Sequence, residues 1–136
     1  MLTLHKSVLD CMIQWATAGR PFEACGYLGA KNGRVIRMLP MKNADQSAEH
    51  FSFEPSEQFA AVRSLRAEGL STAAVFHSHP NTPARMSDED IRLARDPDIS
   101  YVIVSLAESE PVVKAFRVQE SGIVPEDIVL TDEHSG

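Results

Sequence analysis

Cysteine is scarce in this chain, which has only Cys11 and Cys25 among its 136 residues. Two thiols, one in a predicted helix and one in a predicted strand, cannot form the disulfide framework that supports many small secreted domains. Both are therefore predicted to be buried free thiols, since a reduced cysteine is commonly a small core residue. This composition favours a reducing cytoplasm as the location of the protein.

Long hydrophobic runs and clustered basic residues are also missing. No span reaches the ~20 apolar residues that cross a membrane, and polar residues interrupt any signal-peptide pattern in residues 1–19. The 13 Lys and Arg residues are scattered through a chain of net charge −6, whereas nucleic-acid binders need clustered basic groups for phosphate contacts. Neither a membrane nor a nucleic acid is therefore predicted as a partner.

The chain has enough apolar sequence for one domain, because 43% of its residues are hydrophobic and a core of that size needs no disulfides. We expect residues 1–130 to form the domain and residues 131–136 to be a flexible tail. The predicted elements, in order, are a helix at 4–18, strands at 24–30 and 34–39, a short strand at 50–53, a helix at 55–68, a strand at 72–77, a short helix at 87–95, strands at 101–106 and 112–118, and an edge strand at 128–130.

Asn32-Gly33 is suited to the tight turn of a hairpin between the first two predicted strands. A hairpin pairs antiparallel strands, while a helical crossover permits a parallel neighbour. The predicted fold is therefore an α/β single domain in which helices flank a mixed β-sheet.

Two histidines lie where the strand at 72–77 ends. His77 and His79 are two residues apart in extended chain, so both imidazoles point to one side and can bind one ion. Asp90 lies in the first turn of the helix that begins at Ser87, and it can supply a carboxylate. Two histidines and one carboxylate leave one position of a tetrahedral zinc site open for water, as in catalytic sites. Manganese or iron suit similar ligands.

Each part of this pattern also has a purely structural explanation. A His-x-His pair in a strand can be incidental, and Ser87-Asp88-Glu89-Asp90 has the pattern of a helix capping box. The combination is more specific than its parts, because His77-x-His79, a seven-residue interval and Ser87-x-x-Asp90 follow an upstream acid in Pro21-Phe22-Glu23-Ala24-Cys25-Gly26.

This combination resembles the JAMM motif of the MPN-plus, or Mov34-type, metalloprotease family, which has an upstream Glu, His-x-His-Pro, a seven-residue interval and Ser-x-x-Asp. The segment from Glu23 to Leu28 is similar to the family's Glu-x-Cys-Gly-x-Leu strand. Asn43 and Phe53-Glu54-Pro55 fall where similar members have an Asn and a Phe-x-x-Pro-like stretch. The resemblance covers residues 20–106 and implies a short prokaryotic-type member with the JAMM/MPN, or cytidine-deaminase-like, architecture.

The resemblance implies a role for each motif residue. His77, His79 and Asp90 are the implied Zn²⁺ ligands, and Glu23 is the implied acid and base that moves a proton from the attacking water to the departing amine. The hydroxyl of Ser87 is implied to help stabilise the oxyanion. Cys25 is more plausibly a core residue beside the site than a ligand.

The implied activity is that of a zinc-dependent metallopeptidase or isopeptidase. Compact members of this kind resemble enzymes that act at the C-terminal glycine end of a ubiquitin-like or sulfur-carrier protein, so such a protein is the expected substrate. The exact substrate, the metal in the cell, the oligomeric state, and any substrate contact by Cys25, Asn43 or His50 are left open by the sequence.

Two alternatives remain beside this prediction. One is a non-catalytic MPN scaffold that serves as an interaction module, and the other is a DNA-repair-type relative, which the acidic charge disfavours. A nucleotide deaminase needs His-x-Glu with Pro-Cys-x-x-Cys, and a zincin needs His-Glu-x-x-His; the chain contains neither pattern. His5, His50 and His134 match no role in the family and are predicted to be surface or structural residues.

Overall fold

The computed structural model describes residues 1–132. The elements in this part of the chain are β1 (Leu2–His5), α1 (Lys6–Ala18), β2 (Cys25–Lys31), β3 (Arg34–Met41), α2 (Pro55–Ala67), β4 (Ser71–His79), α3 (Asp88–Leu93), β5 (Ser100–Ser105), β6 (Val112–Gln119), β7 (Gly122–Glu126) and β8 (Ile128–Thr131). The strands form one sheet in the order β7-β6-β5-β4-β2-β3-β1-β8.

The sheet is mixed, as the sequence predicted. β2 is antiparallel to both of its neighbours, β3 and β4, whereas β4 and β5 are parallel. The turn between β2 and β3 lies at Asn32 and Gly33, whose φ angles are 54° and 79°. Positive φ at both central residues is the requirement of a type I′ turn. The predicted α/β fold and its hairpin are therefore confirmed.

The main core lies between α1 and the sheet. Val8, Met12 and Ala16 of α1 are buried, and they belong to one cluster with Leu28 of β2 and Phe76 of β4. Full burial of one large apolar side chain stabilises a fold by roughly 1.5–3 kcal/mol. The predicted apolar stripe of this helix thus holds it against the sheet.

The centre of the sheet, which carries the site, is tightly packed. Every residue of β4 from Ala74 to His79 is buried, as expected for a strand covered on both faces. A Cβ atom at Gly26 would lie 2.5 Å from the carbonyl oxygen of Leu39 and 2.5 Å from a ring carbon of Phe76. Only glycine therefore allows β2 to approach its surroundings this closely.

The N-terminal helix begins later than predicted. Leu4 fits the four-residue spacing of α1, but it lies in β1, where it pairs with Val35 of β3 and Leu130 of β8. The side chain is still 1% exposed, so the prediction of burial was right and that of the helical backbone was wrong. Pairing with strands distant in the sequence decided the local conformation.

Other predictions also differ from the structure. Residues 50–53 form no strand, because the side chain of Asn43 and the backbone of Ala44 bind the backbone groups there. Cys11 is exposed rather than buried, whereas Cys25 is buried as predicted. β7 was not predicted at all.

The C-terminal region extends the sheet. β8 confirms the predicted edge strand and continues to Thr131, one residue into the predicted tail, where it pairs with His5. Residues 133–136, which include His134, lie outside the described residues. Among residues 1–132, no helix has both the length and the apolar character needed to cross a bilayer.

Candidate metal centre

The end of β4 presents two imidazoles to the same point. His77 pairs with Cys25 of β2 and Ile103 of β5, so hydrogen bonds on both sides fix the strand at the first histidine. Because alternate side chains of a strand share a face, His79 lies next to His77, with their Nε2 atoms 3.2 Å apart. Both imidazole side chains are 5% exposed.

The first turn of α3 brings a carboxylate to these histidines. Oδ1 of Asp90 is 3.2 Å from Nε2 of His77, and Oδ2 is 3.1 Å from Nε2 of His79. The helix begins with a capping box, in which Oγ of Ser87 accepts a hydrogen bond from the Asp90 N–H and Oδ2 of Asp90 accepts one from the Ser87 N–H. The cap and the histidine contacts therefore use the same carboxylate, so the observed cap is compatible with the predicted role of Asp90 as a metal ligand.

The spacing of these donor atoms fits one metal ion. His77, His79 and Asp90 each offer a ligand atom within 4.8 Å of the others. Zinc ligands lie about 2.0–2.1 Å from the ion, and tetrahedral geometry then separates neighbouring donors by about 3.3 Å. The two Nε2 atoms are 3.2 Å apart, close to this value, and each lies 3.1–3.2 Å from a different oxygen of Asp90. Two imidazole nitrogens and a carboxylate are also the donor types that zinc accepts.

A second hydrogen bond orients one of the predicted ligands. Nδ1 of His79 is 2.9 Å from the carbonyl oxygen of Pro83. A carbonyl oxygen only accepts, so Nδ1 carries the hydrogen and Nε2 faces the Asp90 carboxylate. Such partners fix the ring orientation and tautomer of metal-binding histidines.

The charges in this cluster depend on one another. Burial lowers the pKa of His77. Burial also acts to lower the pKa of His79, but the hydrogen bonds to Asp90 and to the Pro83 carbonyl outweigh it and raise this pKa. Burial would raise the pKa of Asp90, yet its hydrogen bonds to His77 and His79 hold this pKa below the usual range. The ionised carboxylate thus stabilises positive charge at the point where the three side chains meet.

Glu23 precedes β2 and is only 4% exposed. Burial raises the pKa of its carboxyl group to about 8, and the charges of His79 and Asp90 are close enough to affect this value. Within residues 1–132, its Oε1 atom is buried and has no hydrogen-bond partner. A buried carboxyl group with an unpaired oxygen beside a metal-type cluster is suited to proton transfer.

Ser78, which lies between the two histidines in the sequence, binds the backbone of the residue that follows Glu23. Its side chain points away from the histidines, as the alternation of the strand predicts, and Oγ accepts a hydrogen bond of 2.8 Å from the Ala24 N–H. Its own N–H donates to the carbonyl oxygen of Ala24, also at 2.8 Å. Ser78 therefore binds both the N–H and the carbonyl group of Ala24, the residue next to Glu23.

Two cavities flank the cluster. One of about 310 Å³ has Phe51, Val75, His77, Asp90 and Leu93 in its wall, so it opens beside the predicted ligands. The other, of about 270 Å³, has Trp15, Glu23 and Asn43 in its wall. One space thus lies beside two of the predicted ligands and the other beside Glu23.

The structure brings together the five residues that the sequence singled out, and it adds three more. Ser78, Asn43 and Phe51 all contact the backbone or side chains of the predicted site. Asn43 had a sequence signal, since it falls at a position where similar proteins have an Asn. Ser78 and Phe51 had none, because their roles depend on contacts between distant segments. Cys25 packs as predicted, and burial raises the pKa of its thiol to about 12.

Comparisons with known proteins support this description of the fold. Residues 5–119 match the family model described as prokaryotic homologs of the JAB domain. The CysO-cysteine peptidase of Mycobacterium tuberculosis is 27% identical over 137 residues, which cover 98% of this chain and 94% of that protein. A probable TtuB-protein conjugate cleaving protease of Thermus thermophilus is 38% identical over 76 residues, covering 55% of this chain and 51% of that protein.

Structural similarity extends over the same residues. A solution structure of a Desulfitobacterium hafniense protein superimposes with a TM-score of 0.88 and 45% sequence identity, covering 99% of this chain and 96% of that one. The family match covers most of the domain, including all five predicted site residues. The chain belongs to the prokaryotic homologues of the JAB domain.

Proposed function

We propose that this protein is a zinc-dependent metallopeptidase or isopeptidase, with His77, His79 and Asp90 as the metal ligands and Glu23 and Ser87 as catalytic residues. The observation that carries the proposal is the convergence of two imidazole nitrogens, 3.2 Å apart, on the Asp90 carboxylate, of which each contacts a different oxygen at 3.1–3.2 Å, beside a buried carboxyl group with a free oxygen. A structural role alone gives no reason to leave that oxygen without a partner.

The mechanism divides between the ion and the side chains. A bound zinc ion supplies Lewis acidity, which polarises a substrate carbonyl and favours deprotonation of a water. Glu23 accepts a proton from the attacking water as the water oxygen forms a bond to the carbonyl carbon. The same carboxyl group then donates the proton to the nitrogen, so that the C–N bond breaks with a neutral amine as the leaving group.

Ser87 is suited to the oxyanion that forms during this attack. Its oxygen accepts the hydrogen bond from the Asp90 N–H, and a hydroxyl group that accepts one bond can still donate its own hydrogen. A donor already held by a helix cap needs no reorganisation when the negative charge develops. The cap therefore positions the hydroxyl group as well as the carboxylate of Asp90.

The proposed substrate is a conjugate at the C-terminal glycine end of a ubiquitin-like or sulfur-carrier protein. One relative is named as a CysO-cysteine peptidase and another as a probable protease that cleaves TtuB-protein conjugates, and both names describe cleavage of a conjugate. The cavity of about 310 Å³ beside His77 and Asp90 leaves space for part of a substrate next to the predicted ligands. The exposed free thiol of Cys11 suits a reducing compartment, and we propose that the protein acts in the cytoplasm.

Two substitutions separate metal binding from proton transfer. In Glu23→Gln the metal stays bound and cleavage is lost, because the amide cannot accept a proton. In His77→Ala both are lost, because one of three ligands is removed. Metal content by atomic emission and cleavage by intact mass are measured on the same samples. Equal activity in the wild type and Glu23→Gln would sink the assignment of Glu23.

The substrate is identified separately. The purified chain with one equivalent of zinc is incubated with ubiquitin-like proteins that are extended past their Gly-Gly ends by a cysteine or a peptide. The expected product has the intact mass of the protein ending at the second glycine. Cleavage of unrelated peptides at the same rate would show that the proposed substrate class is wrong.

A further inference from the structure

Asn43 makes more contacts with the site than its place in the sequence suggests. It lies in the segment 42–54 between β3 and α2, which has neither helix nor strand, yet it is 8% exposed. Its Nδ2 group donates to the carbonyl oxygens of Glu23 and His50, at 3.0 and 3.1 Å. Its Oδ1 atom accepts from the N–H groups of Asp45 and Ser52, at 3.0 and 3.2 Å.

These bonds use the full capacity of the amide. A side-chain amide has two N–H donors and a carbonyl oxygen with two lone pairs, and all four are engaged. The orientation of the amide is also unambiguous, because its partners are two carbonyl oxygens on one side and two N–H groups on the other. No other common side chain of this size can make the same four bonds.

The partners of Asn43 lie on both sides of one aromatic residue. Phe51 stands between His50 and Ser52, so the backbone before and after it is bound to the same amide. The ring of Phe51 stacks on the imidazole of His77 with centroids 4.7 Å apart and an interplanar angle of 26°. The bonds of Asn43 therefore determine where this ring lies against His77.

The same segment binds the backbone of Glu23 on both sides. The carbonyl oxygen of Glu23 accepts from Asn43, and its N–H donates to the carbonyl oxygen of Ser47 at 2.7 Å. One irregular segment thus contacts both the carboxylate-bearing residue and a predicted metal ligand. We propose that Asn43 is a positioning residue of the site, which holds the backbone of Glu23 and the Phe51 ring on His77 in a fixed relation to each other.

The proposal about catalysis rests on the proposed function, but its structural part can be tested without cleavage. Asn43→Asp has the same shape and keeps the two acceptor contacts, while an oxygen replaces the group that donates to Glu23 and His50. In the metal-free chain, we expect the ring protons of His77 to change chemical shift, because the ring current of Phe51 moves away from them. His77→Gln identifies these signals by their absence, and Phe51→Leu gives the shift for complete loss of the stack.

The catalytic readout is the division of the effect between kcat and KM. A displacement of about 1 Å at a reacting group costs up to about a hundredfold in rate, so we expect kcat of Asn43→Asp to fall about 10- to 100-fold while KM changes less than about threefold. If this variant does not fold, Asn43→Ser, which keeps one donor and one acceptor, is used with the same two readouts.

Ser100→Ala is the matched control. Ser100 is 1% exposed and its hydroxyl donates to Glu126 at 2.5 Å, so the control also loses a buried hydrogen bond but one without a contact to the site. It should lower Tm and leave the His77 signals and kcat unchanged. The proposal is overturned if folded Asn43→Asp retains the wild-type His77 shifts, or if Ser100→Ala changes them equally. Should the wild type cleave nothing, the proposed function fails and the His77 signals alone decide the positioning role.

Discussion

The two halves of the site are built in different ways. His77, His79 and Asp90 lie on a central strand and on the first turn of a capped helix, where the backbone is regular. Glu23 lies outside any helix or strand, and the irregular segment 42–54 holds it in place. The ligand half, which consists of the predicted metal ligands His77, His79 and Asp90, therefore depends on secondary structure. The carboxylate half, which consists of Glu23, depends on hydrogen bonds between segments far apart in the chain.

This difference shows which interactions fix the positions of the side chains in each half. Strand alternation and helix capping are local rules, so a fixed spacing in the sequence brings the ligand atoms to one point. The backbone of Glu23 and of the neighbouring Ala24 is fixed by Asn43, Ser47 and Ser78, through hydrogen bonds across 20 to 54 residues of sequence. Substitutions in the carboxylate half should thus disturb the ligand half less than substitutions in the ligand half disturb the carboxylate half.

The largest expected effect comes from loading the ligand half with metal. Zinc at about a thousand times its Kd should stabilise the wild type by about 4 kcal/mol, which raises Tm by roughly 10 °C or more. Glu23→Gln should show the same rise, and Asp90→Ala should show little of it. Differential scanning calorimetry with zinc and with chelator measures all three. A chain without bound zinc, and with no rise on adding it, would favour the scaffold alternative.

The next effect concerns the carboxylate half in the chelated protein. Because burial raises the pKa of Glu23 from 4.5 to about 8, the folded state holds a proton between these values that the unfolded state has released. The contribution of Glu23 to stability is therefore fully present below pH 4.5 and is lost as pH rises through 8. The loss amounts to at most about 1.4 kcal/mol per pH unit.

Glu23→Gln isolates this contribution, because the amide does not titrate. In chelator, the wild type should lose stability relative to Glu23→Gln between pH 5 and pH 8, as measured by urea denaturation at each pH. Parallel curves for the two proteins would show that Glu23 has an ordinary pKa. Chelator is needed because a nearby cation favours the ionised carboxylate and lowers its pKa.

A smaller effect separates the capping role of Ser87 from its proposed catalytic role. Ser87 belongs to the ligand half because it caps the helix that carries Asp90. Ser87→Asn keeps a good N-cap acceptor but loses the hydroxyl group, whereas Ser87→Ala loses both. Both variants should lose about 100-fold in kcat, but only Ser87→Ala should also lose about 1 kcal/mol of stability. Normal kcat in Ser87→Asn would reduce Ser87 to a cap.

The smallest effect is expected at the exposed edge of the irregular segment. Nδ1 of His50 lies 3.0 Å from Oδ2 of Asp45, and the two side chains are 44% and 37% exposed. Exposed pairs contribute 0–1 kcal/mol, and the backbone contact of His50 with Asn43 survives substitution. His50→Ala should therefore change stability by less than about 0.5 kcal/mol and leave kcat and KM near wild-type values. A large rise in KM would instead identify His50 as a substrate contact.

The sequence predicted the ligand half well because that half follows local rules. The strand that ends at the histidines, the turn at Asn32-Gly33 and the capping box at Ser87 were all predicted from short patterns, and the structure confirms each one. Leu4 shows the limit of such patterns. Its apolar periodicity correctly predicted burial, but periodicity carries no information on which distant strands are available for pairing.

The structure of the segment 42–54 could not be predicted in this way. Phe51 and its neighbours have the composition of a short strand, yet their backbone groups bind Asn43 instead of a neighbouring strand. The exposure of Cys11 was missed for a different reason, because its burial was predicted from the usual behaviour of free cysteine and not from the apolar stripe of α1, to which it does not belong. For segment 42–54, the deciding contacts join parts of the chain that are distant in sequence.

The sequence by itself thus determined the identity and order of the chemical groups: two imidazoles, a carboxylate and a helix-capping serine. Their spacing brings them together because the backbone of the strand and of the helix is regular. The tertiary structure alone decided the burial of Glu23, which raises its pKa to about 8, the stack of Phe51 on His77 and the central position of Asn43. The physical reason is that spacing along a strand or helix fixes direction over a few residues, whereas desolvation and a fully bonded buried amide exist only after the chain has closed around them.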